Sequence, residues 1–338
     1  MDAYEQLMVQ LEEAGVLDRS IEWLPSTQEM SDRSRNRVGL TRPELAVLLA
    51  YAKQSLAEAI LVTDLPDDRH GTTELVRYFP GEVARRFEHL MWDHPLRREL
   101  IATLVANDVV DTQGPTFVSR LVARSGAGVE DIVGAYRTAR EVSGGAGRRA
   151  AIEDLFGRVD YEVWNEMMAA NDRLVLTLTR WYLTHGDGAT PTLAAPDEFA
   201  RIESESSSWG SIQWRLERNV RIDRLEGAGV PTEVAARVVA AQDMFHAPDV
   251  AAVATESGRS TADVGRVFHR IGRVTGLDGL ERVLANMRLA DPWHRWALET
   301  IEDDLLALRR TLAERVLAGA DELEPDAAVE QFLAGRAG

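Results

Sequence analysis

The chain has 338 residues, of which 45% are hydrophobic and 28% are charged, with a formal net charge of −17 and no cysteine. That length allows one large or two ordinary domains, and the composition is that of a folded globular protein. The negative charge argues against nucleic-acid binding, and the missing cysteine excludes disulfides, thiolate nucleophiles and thiolate metal sites.

The amino-terminal stretch "MDAYEQLMVQLEEAG" is acidic and amphipathic, unlike a signal peptide. No run approaches the roughly 18 apolar residues that are needed to span a bilayer. We therefore expect a cytoplasmic protein that contacts neither membrane nor nucleic acid, and the absence of cysteine fits that compartment.

Helical periodicity predominates from the first residues, where apolar side chains from Tyr4 to Leu11 share one face and Gly15 supplies a stop. The next segment, "SDRSRNR" at 31–37, is predicted to be a mobile connection. The stretch from Gly39 to Asp68 then carries clear helix signals. Thr41 and Glu44 form a capping-box pattern, and Pro66 predicts the end of the helix within "DLPDD".

The same periodicity predicts helices over most of the remaining chain. The expected ranges are 72–90 with a break near Pro80, 95–112, 116–124, 129–143, 148–156, 161–184, 197–227, 231–245, 248–257, 261–274, 277–289, 292–318 and 325–335. Strand alternation bounded by turn residues is scarce. The sequence therefore predicts an all-α multi-helix bundle.

Composition also suggests where the bundle divides. Residues 1–38 are expected to form an amino-terminal helix and a connection from an upstream region, and 39–185 a first helical lobe. Residues 186–197, within a stretch rich in Gly, Pro, Thr and Ala, are expected to be a linker, and 198–338 a second lobe.

An internal similarity runs through both predicted lobes. "SGAGVEDIVGAYRTAREVSG" from Ser125 aligns without gaps to "SGRSTADVGRVFHRIGRVTG" from Ser257, an offset of 132 residues. This suggests two related sub-bundles at about 96–183 and 228–315. The alternative is a chance likeness between amphipathic helices that both end in glycine.

Lys53 is the only lysine, and arginine supplies the other 37 basic side chains. Its amine could do chemistry, but it lies at the edge of the apolar stripe of a well-capped helix, where a structural role is the simpler explanation. No Walker or Rossmann glycine motif is present. "GGAGRR" at 144–149 has glycines and two arginines, but it follows no strand and is interpreted as an interhelical connection.

The histidines show no metal-ligand spacing. His70 lies close in sequence to Asp64, Asp67 and Asp68, a conceivable site for a hard metal ion, although turn capping explains those aspartates more simply. His269 and His294 are expected at the surface or at an interface.

Several long stretches resemble the carboxy-terminal region of the large bacterial NAD-specific glutamate dehydrogenases. They are "LTRPELAVLLAYAK", "DLPDD", "HPLRRELIATLVANDVV", "GPTFVSRLVARSGAGVEDIVGAYRTAREV", "RIGRVTGLDGL" and "DPWHRWALETIEDDLLALRRTLAERVL". The resemblance covers about Leu11 to Leu317.

The resemblance implies an excised carboxy-terminal helical domain of an enzyme that oxidatively deaminates L-glutamate to 2-oxoglutarate with NAD. The family's catalytic lysine segment and dinucleotide fingerprint lie upstream of the matched region. We therefore assign no catalytic, cofactor-binding or metal residue here, and expect NAD to bind elsewhere in the parent enzyme.

The expected partners are the upstream catalytic domain and other subunits of a homo-oligomer, and the expected role is structural, in assembly or regulatory. Two alternatives stay open. One is a self-standing helical scaffold or adaptor without enzymatic activity, and the other is a metal enzyme or hydrolase built on the His70 group.

Overall fold

The computed structural model describes residues 2–68, 71–185, 196–287, 292–319 and 324–335. Every regular element in these ranges is a helix, and no strand occurs in them, which confirms the all-α prediction. The α-helices are α1 Asp2–Glu13, α2 Thr27–Arg35, α3 Arg42–Leu61, α4 Gly71–Tyr78, α5 Gly81–Met91, α6 Arg97–Gln113, α7 Phe117–Ser125, α8 Val129–Val142, α9 Gly145–Glu153, α10 Tyr161–His185, α11 Pro196–Ser206, α12 Ile212–Gly227, α13 Thr232–Asp243, α14 Ala247–Ser257, α15 Thr261–Thr275, α16 Leu277–Asn286, α17 Pro292–Ala318 and α18 Pro325–Ala334.

The chain separates into two compact units, Met1–Arg137 and Thr138–Gly338, so the boundary falls within α8. The expected linker at 186–197 lies almost entirely outside the described residues. The division into lobes at that linker therefore stays a prediction.

The first unit is organised around the packing of α3 on α6. Helix α3 buries a stripe at four-residue spacing that runs from Leu48 to Ile60, and α6 buries Ile101, Val105 and Val109 with their small neighbours. The predicted capping box is present, since Thr41 and Glu44 exchange backbone and side-chain hydrogen bonds. Full burial of a side chain such as Leu48 contributes about 1.5–3 kcal/mol.

Helix α2 corrects the prediction of a mobile connection at 31–37. Ser26 and Glu29 form a second capping box, and Arg33 donates to both carboxylate oxygens of Glu44 at 2.9 Å. The helix therefore continues to Arg35 and is tied to the start of α3. Burial favours a raised pKa for Glu44, but the hydrogen bonds from Arg33 and Thr41 outweigh it and lower that pKa.

The second unit contains a core built where α9, α10, α12 and α13 meet. Its buried members are Ile152, Leu155, Met167, Met168, Ala170, Leu225, Val230, Ala235, Val238 and Val239. Helix α14 is apolar on nearly all sides. It is buried from Ala247 to Ala254, and its neighbours include α15 and α17. A short helix that is hydrophobic all round belongs inside a protein, as it lies here.

Two predicted boundaries in the second unit are wrong. The helix expected at 197–227 is interrupted between Ser206 and Ile212, where Ser211 caps α12 through the backbone amide of Trp214. Of the connection expected at 144–149, only Gly144 lies outside a helix. Gly144 has a φ of 60° and serves as the N-cap of α9, which already begins at Gly145.

The helix bounds support the predicted duplication, which remains a proposal. Adding 132 to the limits of α6 to α10 gives the limits of α13 to α17 to within three residues. Gly126 and Gly258 both adopt the left-handed conformation at the end of a helix, and Gly144 and Gly276 both adopt it at a helix start.

Among the described residues, no helix is long and apolar enough to cross a membrane.

Candidate functional site

Lys53 forms an ion pair on the surface of the first unit. Its Nζ lies 2.7 Å from Oδ1 of Asp111, which joins α3 to α6, and its side chain is 29% exposed. The ammonium group therefore has a fixed carboxylate partner and access to water. This arrangement suits a helix-pairing contact better than a desolvated catalytic amine.

Three arginines converge on the "DLPDD" loop at the end of α3. Arg98 donates from Nη2 to the carbonyl oxygens of Leu61 at 2.9 Å and Thr63 at 2.8 Å. Arg97 and Arg98 both pair with Asp67. The last carbonyls of a helix lack intrahelical partners and carry partial negative charge, so guanidinium groups stabilise this end of α3.

Arg137, from α8, completes this arginine clamp, which we define as Arg97, Arg98 and Arg137. Its Nη1 donates to the Leu65 carbonyl at 3.1 Å and to Oδ2 of Asp68 at 2.6 Å, and the residue is only 4% exposed. Three of the stretches that carry the family resemblance, in α6, α8 and the loop, thus meet around "DLPDD".

Two of the three aspartates proposed as metal ligands, Asp67 and Asp68, pair with this clamp instead. Asp67 and Asp68 face arginines, and His70 lies outside the described residues. Within the part of the chain that the structure describes, no group of three or more His, Asp or Glu side chains is arranged to hold a metal ion. The described geometry gives the metal hypothesis no support.

In the second unit, a groove of about 1820 Å³ is bordered by α10, α12, α15, α16 and α17. Arginines and carboxylates line it, and many of them pair with one another. Arg180 pairs with Asp303, Arg173 approaches Glu302 at 3.5 Å, and Arg310 approaches Asp249 at 3.8 Å. These pairs join neighbouring helices and leave those charges neutralised.

Two carboxylates in the groove are buried. Asp243 lies between Arg218 at 3.0 Å and Arg221 at 2.8 Å, and burial nevertheless raises its pKa. Burial likewise raises the pKa of Asp249, against the effect of a 3.1 Å hydrogen bond from Nε1 of Trp181. Desolvation favours the neutral form of an acid, and these partners limit that cost.

His269 is half-buried between Trp209 and Trp214, on the lining of this groove. Its ring centroid lies 4.8 Å from that of Trp214, in an edge-on arrangement. Burial, with His246 and Arg309 nearby, lowers its pKa to about 3, so the imidazole is neutral near pH 7. His294 lies in an exposed position, as expected.

Among the side chains that the structure describes, Arg309 and Arg148 are the largest that are fully buried. Arg309 pairs with Asp278 at 2.6 Å and Glu281 at 3.1 Å, and a Cβ atom on Gly272 would lie 2.6 Å from its guanidinium nitrogens. Only glycine lets α15 pass so close to this pair. Burial lowers the pKa of Arg148 to about 10, and its Nε donates to Asn171 at 3.0 Å.

Sequence inspection missed both buried arginines and the arginine clamp. Their partners lie 31 residues from Arg309 and 69 from Arg137, distances at which no local pattern operates. The capping box at Ser26 is different, because its S-x-x-E spacing was readable in the sequence.

Comparisons with known proteins give a consistent result. The family model described as "Glutamate dehydrogenase, C-terminal" matches residues 37–338. The NAD-specific glutamate dehydrogenase of Halomonas elongata is 32% identical over 325 residues, covering 93% of this chain and 20% of that protein.

Two further relatives carry the same name. The Pseudomonas aeruginosa protein is 30% identical over 322 residues and the Mycobacterium tuberculosis protein 30% over 348, covering 94% and 97% of this chain and 20% of each relative. The chain thus spans about a fifth of the length of these curated relatives.

Proposed function

We propose a role that proceeds from one premise: the chain belongs to the glutamate dehydrogenase C-terminal family. It is the non-catalytic helical region of a large NAD-dependent enzyme that converts L-glutamate, NAD and water to 2-oxoglutarate, ammonia and NADH. Its relatives are named NAD-specific glutamate dehydrogenases, and it corresponds to a fifth of each of them. The role of this region within the enzyme is structural, regulatory or in assembly.

The chemistry of the reaction supports the placement of catalysis elsewhere. Hydride transfer to NAD needs a dinucleotide site, which is usually built at the carboxyl ends of parallel strands beside a glycine-rich turn. The described residues include no strand, and NAD is accordingly proposed to bind the remaining part of the enzyme.

The arginine clamp is the observation that carries the structural role. Around the end of α3, arginines from the stretches shared with the family form ion pairs with aspartates and donate hydrogen bonds to backbone carbonyl oxygens. Groups committed in this way stabilise a fold. Lys53 is similarly engaged with Asp111.

Two measurements test the proposal together. The isolated chain, mixed with L-glutamate and NAD, is expected to form no NADH above a protein-free blank. The second measurement uses the native polypeptide, by which we mean the full-length enzyme that contains this chain. Removal of residues 37–338 from it is expected to lower its turnover or to change its assembly state. Light scattering after size-exclusion chromatography measures the assembly state.

The outcomes separate the competing functions. NADH formation by the isolated chain would show that this region is itself catalytic. A truncated enzyme with unchanged turnover and assembly would mean that the region contributes to neither, which favours an independent scaffold that is merely fused to the enzyme.

A further inference from the structure

The turn between α1 and α2 exposes two large apolar side chains at the surface of the first unit. Trp23 is 90% exposed and Ile21 is 69% exposed. Tryptophan carries the largest apolar surface of any side chain and is usually mostly buried, so an almost fully exposed indole is unusual. We call this segment, residues 18–24, the tryptophan turn.

Arg19, which is buried, fixes the position of the tryptophan turn. The residue is 7% exposed, and its guanidinium binds Glu12 at 2.8 Å, Glu5 at 2.9 Å and the carbonyl oxygen of Pro25 at 3.2 Å. These charge-assisted bonds connect the turn to α1 and to Pro25, which precedes the N-cap residue of α2.

Further contacts fix the remaining residues of the turn. Asp18 accepts hydrogen bonds from the backbone and hydroxyl of Ser20, and Glu22 accepts one from Oη of Tyr51 at 2.7 Å. Leu24 is buried. The turn is therefore anchored on both sides of Trp23, while the indole itself extends into solvent.

The backbone at Trp23 is strained. Its φ is 56°, a left-handed value that few bulky residues adopt. Such a conformation persists only where the surrounding contacts fix it, as they do here, and strain of this kind concentrates at functional positions. Nothing in the folding of the turn requires a tryptophan at this position.

A rigid turn that presents an indole and an aliphatic side chain has the properties of an interface anchor. Tryptophan dominates the energetic centres of protein interfaces. A backbone segment that is already fixed in place loses little conformational entropy on binding, which favours affinity.

We infer that the tryptophan turn docks into an apolar pocket of the region that precedes this chain in the longer enzyme. This inference rests on the proposed function. The chain matches a family described as C-terminal and accounts for 20% of its relatives, so most of each relative is available, upstream, to cover the turn.

The charges around the turn define the complementary surface. Glu12, Glu13 and Asp18 are exposed near it, and the first 24 residues contain only one basic side chain, Arg19. A pocket that receives Ile21 and Trp23 is therefore expected to be apolar at its centre and basic at its rim, because complementary charge steers and orients docking.

Hydroxyl-radical labelling of Trp23 tests this directly, with mass spectrometry as the readout. The indole should react rapidly in the isolated chain. In the native polypeptide its rate should fall about tenfold or more, because a docked hot-spot indole is excluded from solvent. Equal rates in the two proteins would overturn the inference.

Varying the concentration of the isolated chain distinguishes two possible binding partners of Trp23, the upstream region and a second copy of this chain. Protection that grows with concentration in the chain alone would identify a second copy as the occupant, and this too would overturn the inference. Labelling reads burial and not turnover. A protected Trp23 in a polypeptide that does not oxidise glutamate would therefore refute the proposed function and leave the docking standing.

A substitution separates docking from folding. Trp23→Gly suits the left-handed backbone and should leave the thermal midpoint of the isolated chain unchanged or higher, while lowering that of the native polypeptide by several degrees. Val62→Ser, at a residue that is 86% exposed, is the control and should change neither midpoint. Equal effects of Trp23→Gly on both proteins would contradict docking.

Discussion

At the scale of single residues, this chain uses arginine inside the fold. Arg137, Arg148 and Arg309 are each 4% exposed or less, and each donates to at least one side chain or carbonyl of another element. A guanidinium is planar and more weakly hydrated than an ammonium group, so it can be buried at lower cost and can bind several acceptors at once. Replacement by lysine would lose both properties.

His269 makes stability depend on pH. Its pKa falls from 6.5 when unfolded to about 3 when folded, so the unfolded chain binds more protons between these values. Stability from this group is complete above pH 6.5 and is lost as the pH falls towards 3. By pH 5 the loss should be about 2 kcal/mol.

Urea unfolding at pH 7.5 and pH 5.0 measures this effect against His269→Phe, which keeps an aromatic ring and cannot titrate. The substituted chain should lose about 2 kcal/mol less than the natural chain between the two pH values. Identical losses would show that the imidazole is not the group responsible.

Lys53 gives a second prediction at this scale. Lys53→Met removes a partly exposed ion pair with Asp111 and should lower the free energy of unfolding by no more than about 1 kcal/mol. Turnover of the full enzyme should not change. Loss of turnover with the fold intact would return the lysine to the catalytic candidates.

At the scale of helices, close approach between elements depends on particular glycines. A Cβ atom on Gly265 of α15 would lie 2.4 Å from the ring of Trp209, whereas one on Gly279 of α16 would meet nothing within 4 Å. The same chemical change, glycine to alanine, therefore has opposite expected effects on two neighbouring helices.

Gly265→Ala should lower the free energy of unfolding by about 1–3 kcal/mol, because the added methyl group must displace the indole. Gly279→Ala is the matched control and should raise it by up to about 1 kcal/mol through helix propensity. Chemical denaturation of both variants measures the difference. Equal effects would mean that Trp209 does not pack on α15.

The arginine clamp makes a similar comparison possible. Arg98→Met leaves the carbonyls of Leu61 and Thr63 without their guanidinium donor and should cost about 1–3 kcal/mol. Arg85→Met removes only an exposed pair with Glu82 on one helix and should cost less than about 0.5 kcal/mol. Similar losses in the two variants would argue against the clamp.

Local signals predicted the helices well where those signals were strong. The capping box at Thr41, the break at Pro80 and the limits of α8 and α15 follow from short patterns. The interruption between Ser206 and Ile212 was missed because it depends on how Trp209 packs against α15. Helical periodicity alone cannot register that constraint.

At the scale of the whole molecule, the proposed duplication gives the chain a simple plan. Five helices follow one another in the same order after 132 residues, with limits that agree to within three residues. Experimental coordinates for residues 97–185 and 229–317 should superpose with the same helix directions. Unrelated directions would reduce the correspondence to chance.

The charged interior could not be predicted from the sequence. With 38 basic and 55 acidic side chains, the number of conceivable ion pairs far exceeds the number that any fold can form. Which arginine is buried depends on tertiary contacts between residues distant in the chain, such as Arg180 and Asp303. The sequence resemblance indicated the family without indicating any of these pairs.

The pairing of Lys53 with Asp111 has a practical consequence. Because the chain contains one lysine, amine-directed acylation should attach a fluorophore to a single side chain, at a known position on α3. The label would break an ion pair worth about 1 kcal/mol or less and leave the fold intact. Energy transfer from that dye to an acceptor at a second labelled position of the isolated chain would then report the distance between α3 and that position.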